Sequence, residues 1–216
     1  MLDVDAVVER LGLERFDLLA CIHAGPLGIA YAARHPERLS HLVLCSAYSR
    51  GSDFVQSPEV QGARAVLDKD WYTFSETASR AIAAGWEARE LPAQLAELIR
   101  ECTTQDVWQV FAPLLADLDV TDLLPELRVP TLVLHSRQGR ILPVDVARGI
   151  AGRIPDARLA LLEGEVLMPY IGDTLAVVKP STSSWVRLSR KILQPKCPHP
   201  ALPRSCCATS MRSLIA

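Results

Sequence analysis

The chain has 216 residues, a formal net charge of −2, and hydrophobic and charged fractions of 49% and 22%. These values are typical of a single globular domain and argue against a nucleic-acid-binding surface for the chain as a whole. The sequence has no apolar run of about 18 residues that could cross a membrane, and its acidic, amphipathic N-terminus lacks the pattern of a signal peptide. We therefore expect a cytoplasmic protein.

The first part of the chain predicts alternating helices and strands. Asp3 can cap an amphipathic helix that ends near Gly12. The short apolar segments Phe16–Cys21 and His41–Ser46 predict strands, and Gly25–Arg34 predicts a helix between them. Short apolar strands separated by helices are typical of a parallel sheet that carries helices on both faces.

From Ser57 to Leu118 the pattern changes to helices alone. Four segments have apolar residues at helical spacing: Pro58–Lys69, Trp71–Gly85, Pro92–Cys102 and Thr104–Leu118. The same region holds six aromatic side chains: Trp71, Tyr72, Phe74, Trp86, Trp108 and Phe111. Aromatic residues at this spacing commonly form a core between helices, and the alternative is that some of them line a pocket.

The alternating pattern resumes after Val129 and Pro130. Thr131–Ser136 and Arg158–Leu162 predict strands, and Pro143–Arg153 predicts the helix that joins them. The helical region from Ser57 to Leu118 is therefore expected to be an insertion between two strands of one sheet.

The segment Phe16–Pro36, FDLLACIHAGPLGIAYAARHP, places a tight turn between a strand and a helix. It resembles the nucleophile elbow of the α/β-hydrolase superfamily, in which G-x-S-x-G raises a serine above the sheet. Asp119–Pro143, DVTDLLPELRVPTLVLHSRQGRILP, is similar to the same superfamily at the strand that precedes the catalytic acid. The resemblance implies an α/β fold with an α/β-hydrolase-like, mostly parallel sheet and a helical cap insertion at residues 57–118.

The resemblance also implies that the N-terminal strands of this fold are missing. Met1 is followed almost directly by the helix that, in the superfamily, comes just before the elbow strand. We therefore expect residues 1–178 to form a partial domain, equivalent to the C-terminal two-thirds of the fold.

None of the three residues of the superfamily's catalytic triad has a counterpart in this register. Ile22 occupies the serine position, and isoleucine has no lone pair with which to attack a carbonyl. Gly139 occupies the position of the acid, within His135–Pro143, and the loop Glu163–Pro169 has no histidine at the place of the base. The resemblance therefore implies the fold without its usual catalytic residues.

Four side chains near these positions are candidates for lining a ligand pocket: Cys21, Ile22, His23 and His135. A thiolate with a neighbouring histidine can act as nucleophile and base, so Cys21 and His23 are one possible catalytic pair. Side chains at i and i+2 of a sharp turn rarely meet in attack geometry. The alternative is a buried Cys21 and a His23 that lines a pocket, with His135 forming a local hydrogen bond at a strand end.

Residues 179–216 differ in composition from the rest of the chain. They have no acidic residue, are rich in proline and serine, and contain seven basic residues: Lys179, Arg187, Arg190, Lys191, Lys196, Arg204 and Arg212. This composition predicts a disordered tail or a different reading frame, and the alternative is a basic tail that binds nucleic acid or acidic lipid. Cys197, His199, Cys206 and Cys207 do not have the spacing of a standard zinc site, so we expect no metal and no cofactor.

These observations lead us to expect a catalytically inactive α/β-hydrolase-like protein that binds a small apolar ligand or a protein partner. Domains that look like this one occur fused to helix-turn-helix regulators or nucleotide cyclases, so the resemblance implies a regulatory or sensor role. The alternative is a weak ester or amide hydrolase with a non-standard nucleophile. A third hypothesis is a truncated or frameshifted remnant.

Overall fold

The computed structural model describes residues 2–82 and 90–163. Its helices and strands, in chain order, are α1 Leu2–Arg10, β1 Phe16–Cys21, α2 Ala24–Arg34, β2 Leu39–Cys45, α3 Gly51–Val55, α4 Pro58–Leu67, α5 Trp71–Ile82, α6 Glu90–Cys102, α7 Gln105–Asp117, β3 Thr131–Ser136, α8 Val144–Arg153 and β4 Ala157–Leu162. Two short 3-10 helices, Pro36–Arg38 and Thr121–Glu126, precede β2 and β3.

The four strands form one parallel sheet in the order β1-β2-β3-β4. Cys21 lies opposite Cys45, Cys45 opposite Leu134, and Leu134 opposite Ala160. The carboxyl ends of the strands therefore lie along one edge of the sheet, where the loops that follow them come together. The predicted mostly parallel α/β sheet is confirmed.

The main hydrophobic core lies between the sheet and two of its helices. Leu42, Leu44 and Val133 of the strands pack with Ile29 of α2 and Ile150 of α8. Successive side chains of a strand point to opposite faces, so the alternate strand residues form a second cluster. Its buried members are Val43, Cys45, Leu132 and Leu134.

Two glycines allow α2 to lie unusually close to the sheet and to the loop that follows β2. A Cβ atom at Gly25 would lie 2.6 Å from the Cβ of Ala47, and one at Gly28 would lie 2.7 Å from the Cβ of Ala20. Both separations are shorter than real Cβ contacts, so a larger residue at either position would push the helix outwards. The glycines thus fix the start of α2 beside the end of β2.

The predicted run of helices between two strands is observed as α4 to α7. Ala63, Leu67 and Phe74 form a cap cluster, and Trp71 and Trp108 pack against it. The rings of Trp71 and Trp108 each lie with their centroids 5.3 Å from that of Phe74. Part of the aromatic set therefore forms the core between cap helices, as expected from its helical spacing.

The structure differs from the predicted elements at several boundaries. Strand β2 begins at Leu39, two residues before the predicted start, because Leu39 is buried and pairs with Phe16. Helix α3 was not predicted; Gly51 at its start packs so closely on α7 that a Cβ there would collide with the carbonyl oxygen of Leu115.

Some predictions lie outside the described residues. They concern Trp86, the part of the domain beyond residue 163, and the whole tail of residues 179–216 with its cysteines and His199. Within the described ranges, no helix is both long and apolar enough to span a membrane, and no group of three or more candidate ligand side chains could hold a metal ion.

Candidate functional site

The turn between β1 and α2 has the geometry of an elbow. Ile22 has φ 49°, in the left-handed region, where a β-branched residue is a true outlier. The N–H of Ile22 donates to the carbonyl oxygen of Cys45 at 3.1 Å, and the N–H of Gly25 donates to the carbonyl oxygen of Ile22 at 3.0 Å. These bonds hold the strained residue between the end of the strand and the first turn of the helix.

The side chain of Ile22 is buried in an apolar cluster beside the turn. It packs with Tyr48, Phe54, Ile141 and Leu142. Burial of this side chain offsets the unfavourable backbone conformation, since a fully buried aliphatic side chain contributes about 1.5–3 kcal/mol. Ile22 therefore acts as a hydrophobic anchor at the elbow.

A cavity of about 70 Å³ lies between this turn and the cap helices. Its walls are mostly apolar and include Phe54 of α3, Leu67 of α4, Phe74 of α5, Trp108 and Leu115 of α7, and Ile141. Three ionisable side chains also line it: His23, Glu59 and Arg64. The cavity can therefore hold a short apolar group next to a small number of polar ones.

His23 follows Ile22 directly and stands at the N-terminus of α2. Its Nδ1 lies 2.8 Å from the hydroxyl oxygen of Tyr48, and its ring meets the rings of Phe54 and Phe111 edge-on, with centroids 4.6 Å and 6.0 Å away. Burial among these groups lowers the pKa of His23 to about 4. The imidazole is therefore neutral at pH 7.

The start of α2 adds backbone donors at the same place. The first N–H groups of a helix have no carbonyl partner within that helix, and together they favour negative charge at the helix N-terminus. In α2 the N–H of Gly25 is already bonded to the carbonyl oxygen of Ile22. In hydrolytic reactions such groups can stabilise the oxygen on which negative charge develops.

Cys21 and His23 do not contact each other as a nucleophile and base would. Cys21 is half-buried at the end of β1 and hydrogen-bonds to the thiol of Cys45, which lowers the pKa of Cys21 and raises that of Cys45. His23 bonds instead to Tyr48. Cys21 is not among the residues that line the cavity.

His135 lies beneath the loop that carries Gly139. It is 2% exposed, and its Nε2 lies 2.9 Å from the carbonyl oxygen of Leu142, to which it donates. Its Nδ1 is buried with no hydrogen-bond partner in the described part of the chain, and burial lowers its pKa. His135 thus supports the loop from inside and does not line the cavity.

The structure describes Gly139, at the position of the superfamily's acid, and Glu163, the first residue of the loop in which the base was expected; the rest of that loop lies outside the described residues. Gly139 donates its N–H to the carbonyl oxygen of Ser136 within a tight turn. Glu163, after β4, accepts hydrogen bonds from Gln138 at 3.0 Å and Arg137 at 2.8 Å, which lower its pKa. Glu163 is exposed and tied to its neighbours at the surface, away from the cavity lining.

Tyr48, Glu59 and Arg64 were not singled out from the sequence. Tyr48 follows β2, the strand beside the elbow strand, and in a parallel sheet the loops after neighbouring strands meet at one edge. The position of Tyr48 in the loop after β2 could therefore have identified it from the sequence as a candidate site residue. Glu59 and Arg64 belong to α4, where polar residues are normally read as the solvated face of a helix.

A second cleft, of about 250 Å³, lies between α3, α8 and the 3-10 helix Thr121–Glu126. It is more polar than the cavity, and Arg50 on its wall is already paired with Asp119 at 3.1 Å. Because the elbow does not border this cleft, the smaller cavity that contains His23 is the candidate site.

Known proteins that resemble the chain in sequence are named as hydrolases. No protein-family model matches the chain. The chain is 26% identical over 184 residues to a protein provisionally named carbamate hydrolase RutD from Caulobacter sp. (strain K31), a match that covers 82% of this chain and 66% of that protein. It is 30% identical over 166 residues to 2-hydroxymuconate semialdehyde hydrolase of Pseudomonas putida, covering 71% of this chain and 56% of that enzyme. The chain thus spans between about half and two thirds of the length of these relatives.

Solved structures confirm the fold. The esterase RhEst1 from Rhodococcus sp. ECU1013 has a TM-score of 0.69 at 19% identity, covering 88% of this chain and 69% of that one. The chain therefore has the α/β-hydrolase fold, as the sequence predicts.

The expectation of a catalytically inactive binding domain is wrong. It rested on the lack of all three triad residues, with Ile22 at the elbow, Gly139 at the acid position and no histidine in Glu163–Pro169. The relatives in sequence, however, are named for hydrolytic reactions. Substituted triad positions do not by themselves establish that activity has been lost, and neither the regulatory role nor the sensor role has support.

Proposed function

We propose that this α/β-hydrolase-fold chain hydrolyses a small ester, amide or carbamate and uses a nucleophile other than an elbow serine. The observation that carries the proposal is the neutral His23 ring at the start of α2, on the wall of an apolar cavity beside the elbow. The names of the relatives support the reaction class.

The cavity favours substrates with a short apolar group. Phe54, Phe74, Trp108 and Ile141 supply apolar surface, and its removal from water contributes roughly 25 cal/mol per Å². A volume of about 70 Å³ is small compared with drug-sized ligand pockets. We therefore expect short acyl groups to be accepted better than long ones.

The nucleophile in this proposal is water. Ile22 and Gly139 have no side-chain group that could attack or bear a proton, and among the described residues on the cavity wall Glu59 supplies the carboxylate. Glu59 takes a proton from water as the water oxygen bonds to the substrate carbonyl carbon. The tetrahedral intermediate then expels the alcohol or amine, which takes the proton back from Glu59.

Negative charge that develops on the carbonyl oxygen meets the His23 ring on the cavity wall, at the positive end of the α2 dipole. The reaction lacks the covalent acyl-enzyme intermediate of a serine hydrolase. We therefore expect slow turnover without a burst of the first product.

The test is an assay of the purified full chain with p-nitrophenyl acetate, butyrate and octanoate and with a p-nitrophenyl carbamate. We expect slow hydrolysis of acetate and butyrate that falls about 100-fold in Glu59→Gln. The matched control is Glu97→Gln, an exposed glutamate of α6 that does not line the cavity. Hydrolysis that Glu59→Gln leaves unchanged would contradict the role of Glu59, and no hydrolysis of any substrate would overturn the proposed function.

A further inference from the structure

The hydrogen bond between His23 and Tyr48 determines what the histidine can do. Tyr48 is 0% exposed, and its hydroxyl oxygen lies 2.8 Å from Nδ1 of His23. Its ring also stacks on Phe54, with centroids 5.5 Å apart and an interplanar angle of 23°. The hydroxyl group is therefore fixed in position beside the imidazole.

Two proton arrangements are possible for this bond. If Nδ1 carried the proton and donated it, the hydroxyl proton of Tyr48 would need another acceptor, and Tyr48 has no other hydrogen-bond partner among the described residues. A buried donor without a partner is unfavourable. If Tyr48 donates to Nδ1, both groups are satisfied, and the neutral imidazole carries its proton on Nε2.

We infer that Tyr48 holds His23 as the Nε2–H tautomer, so that His23 acts on the substrate as a neutral hydrogen-bond donor to the carbonyl oxygen and not as a base. The inference rests on the proposed function for its catalytic part. It makes His23 a catalytic residue and Tyr48 a positioning residue.

The surroundings of His23 agree with a neutral donor. His23 lines the cavity, and its Nε2 forms no hydrogen bond with the described residues, so that N–H is left for a molecule in the cavity. Phe54 and Phe111 meet the imidazole edge-on and restrict its rotation. No acidic side chain forms an ion pair with His23 in the described part of the chain, and burial lowers its pKa.

A base would require the opposite arrangement. To accept a proton from water, Nε2 must present its lone pair, and the proton must lie on Nδ1. The hydroxyl of Tyr48 donates a hydrogen bond to the Nδ1 lone pair and so disfavours the tautomer with the proton on Nδ1. A donor aimed at a developing oxyanion commonly changes kcat by about 10²–10³-fold, which sets the size of the effect expected from removing it.

The first test is long-range ¹H–¹⁵N NMR of the imidazole rings of the full chain near neutral pH. The chain has five histidines, and the spectrum of His23→Gln identifies the signals of His23. We expect a protonated Nε2 and an unprotonated Nδ1 for His23, and loss of that preference in Tyr48→Phe. A protonated Nδ1 in the wild-type chain overturns the inference. This result does not depend on turnover.

The second test is kinetic, with p-nitrophenyl butyrate as the probe. His23→Gln keeps an N–H donor and is expected to retain kcat within about tenfold, whereas His23→Leu is expected to lower kcat about 100-fold with little change in KM. Equal losses in both variants would indicate a base and overturn the inference. Circular dichroism and thermal unfolding of each variant show whether it is folded.

The matched control for Tyr48→Phe is Tyr31→Phe. Tyr31 is also buried, at 1% exposed, but it packs in the main core. We expect Tyr48→Phe to lower kcat about tenfold with KM unchanged, and Tyr31→Phe to leave both unchanged. A chain that shows the Nε2–H tautomer but no turnover would overturn the proposed function and the catalytic role of His23, and would leave the tautomer assignment standing.

Discussion

Ile22 and Ser46 occupy equivalent places at the ends of neighbouring strands, and both have left-handed backbone conformations, with φ 49° and 45°. Each follows a cysteine, and Cys21 and Cys45 lie opposite each other in the sheet. The backbone therefore turns in the same left-handed conformation after β1 and after β2. These matching turns bring Tyr48, two residues past Ser46, within hydrogen-bonding distance of His23.

The two left-handed residues are expected to respond to glycine to different extents. Glycine relieves about 1–2 kcal/mol of backbone strain at either position, but Ile22→Gly also empties a buried aliphatic site, which costs about 2–5 kcal/mol. Ser46 has a small side chain, so Ser46→Gly loses far less burial. We expect Ile22→Gly to lower the free energy of unfolding by about 2 kcal/mol, and Ser46→Gly to change it by less than about 1 kcal/mol.

Urea unfolding of the full chain and the two variants measures this difference. Equal destabilisation by both substitutions would contradict the argument, because it would mean that the Ile22 side chain contributes no more than that of Ser46. A stabilised Ile22→Gly would show that backbone strain outweighs packing at the elbow.

Cys21 is predicted to be dispensable for turnover. Its thiol hydrogen-bonds to the thiol of Cys45, and Cys21 does not line the cavity. Cys21→Ala should therefore keep kcat/KM for p-nitrophenyl butyrate within about threefold. Cys102→Ala, which changes an exposed cysteine of α6, is the control. A loss of about 100-fold in Cys21→Ala alone would identify the thiol as the nucleophile in place of water.

His23 is predicted to make stability depend on pH. Its pKa is lowered to about 4 in the folded chain, while an unfolded histidine titrates near 6.5. Because folding favours the neutral form of His23, this residue contributes to the free energy of unfolding. The contribution is fully present above about pH 6.5 and is lost as the pH falls towards about 4. One such group changes the free energy of unfolding by at most about 1.4 kcal/mol per pH unit.

The measurement is urea unfolding at a series of pH values across that window, for the wild type and His23→Gln. The wild type should lose more stability than the variant as the pH falls. His135, whose pKa burial also lowers, remains in both chains and contributes equally to both curves. Parallel curves for the two chains would show that His23 titrates normally in the folded state.

The sheet and the elbow were predictable because they depend on local patterns. The apolar runs at Phe16–Cys21 and Thr131–Ser136 became strands with the predicted ends, since a short, mostly apolar run next to a helical segment is typical of a strand in a parallel sheet. The elbow could be placed because a strand, a turn and a glycine-containing helix follow one another without a gap.

The site was less predictable because its contacts join distant parts of the sequence. Tyr48 lies 25 residues from His23, and the contact between them depends on strand register and on the close approach that Gly25 allows. The inference of inactivity from the three substituted triad positions failed for a related reason. Substituted positions show which groups cannot react, but the polar residues that line the cavity emerge only from the fold.

The size of the cavity predicts a preference for short over long acyl chains, and one substitution should increase that preference. Ala112 of α7 lines the cavity of about 70 Å³, and Ala112→Leu places three more carbon atoms in or beside it. We expect kcat/KM for p-nitrophenyl octanoate to fall about tenfold, because apolar pockets discriminate by roughly 1–3 kcal/mol per methylene-sized change. We expect kcat/KM for p-nitrophenyl acetate to stay within about twofold of the wild-type value. Ala65→Leu makes the same change at an exposed position of α4 outside the cavity and should leave both esters unaffected. An equal loss for both esters in Ala112→Leu would point to a distorted site, and no loss for either would mean that the acyl group binds elsewhere.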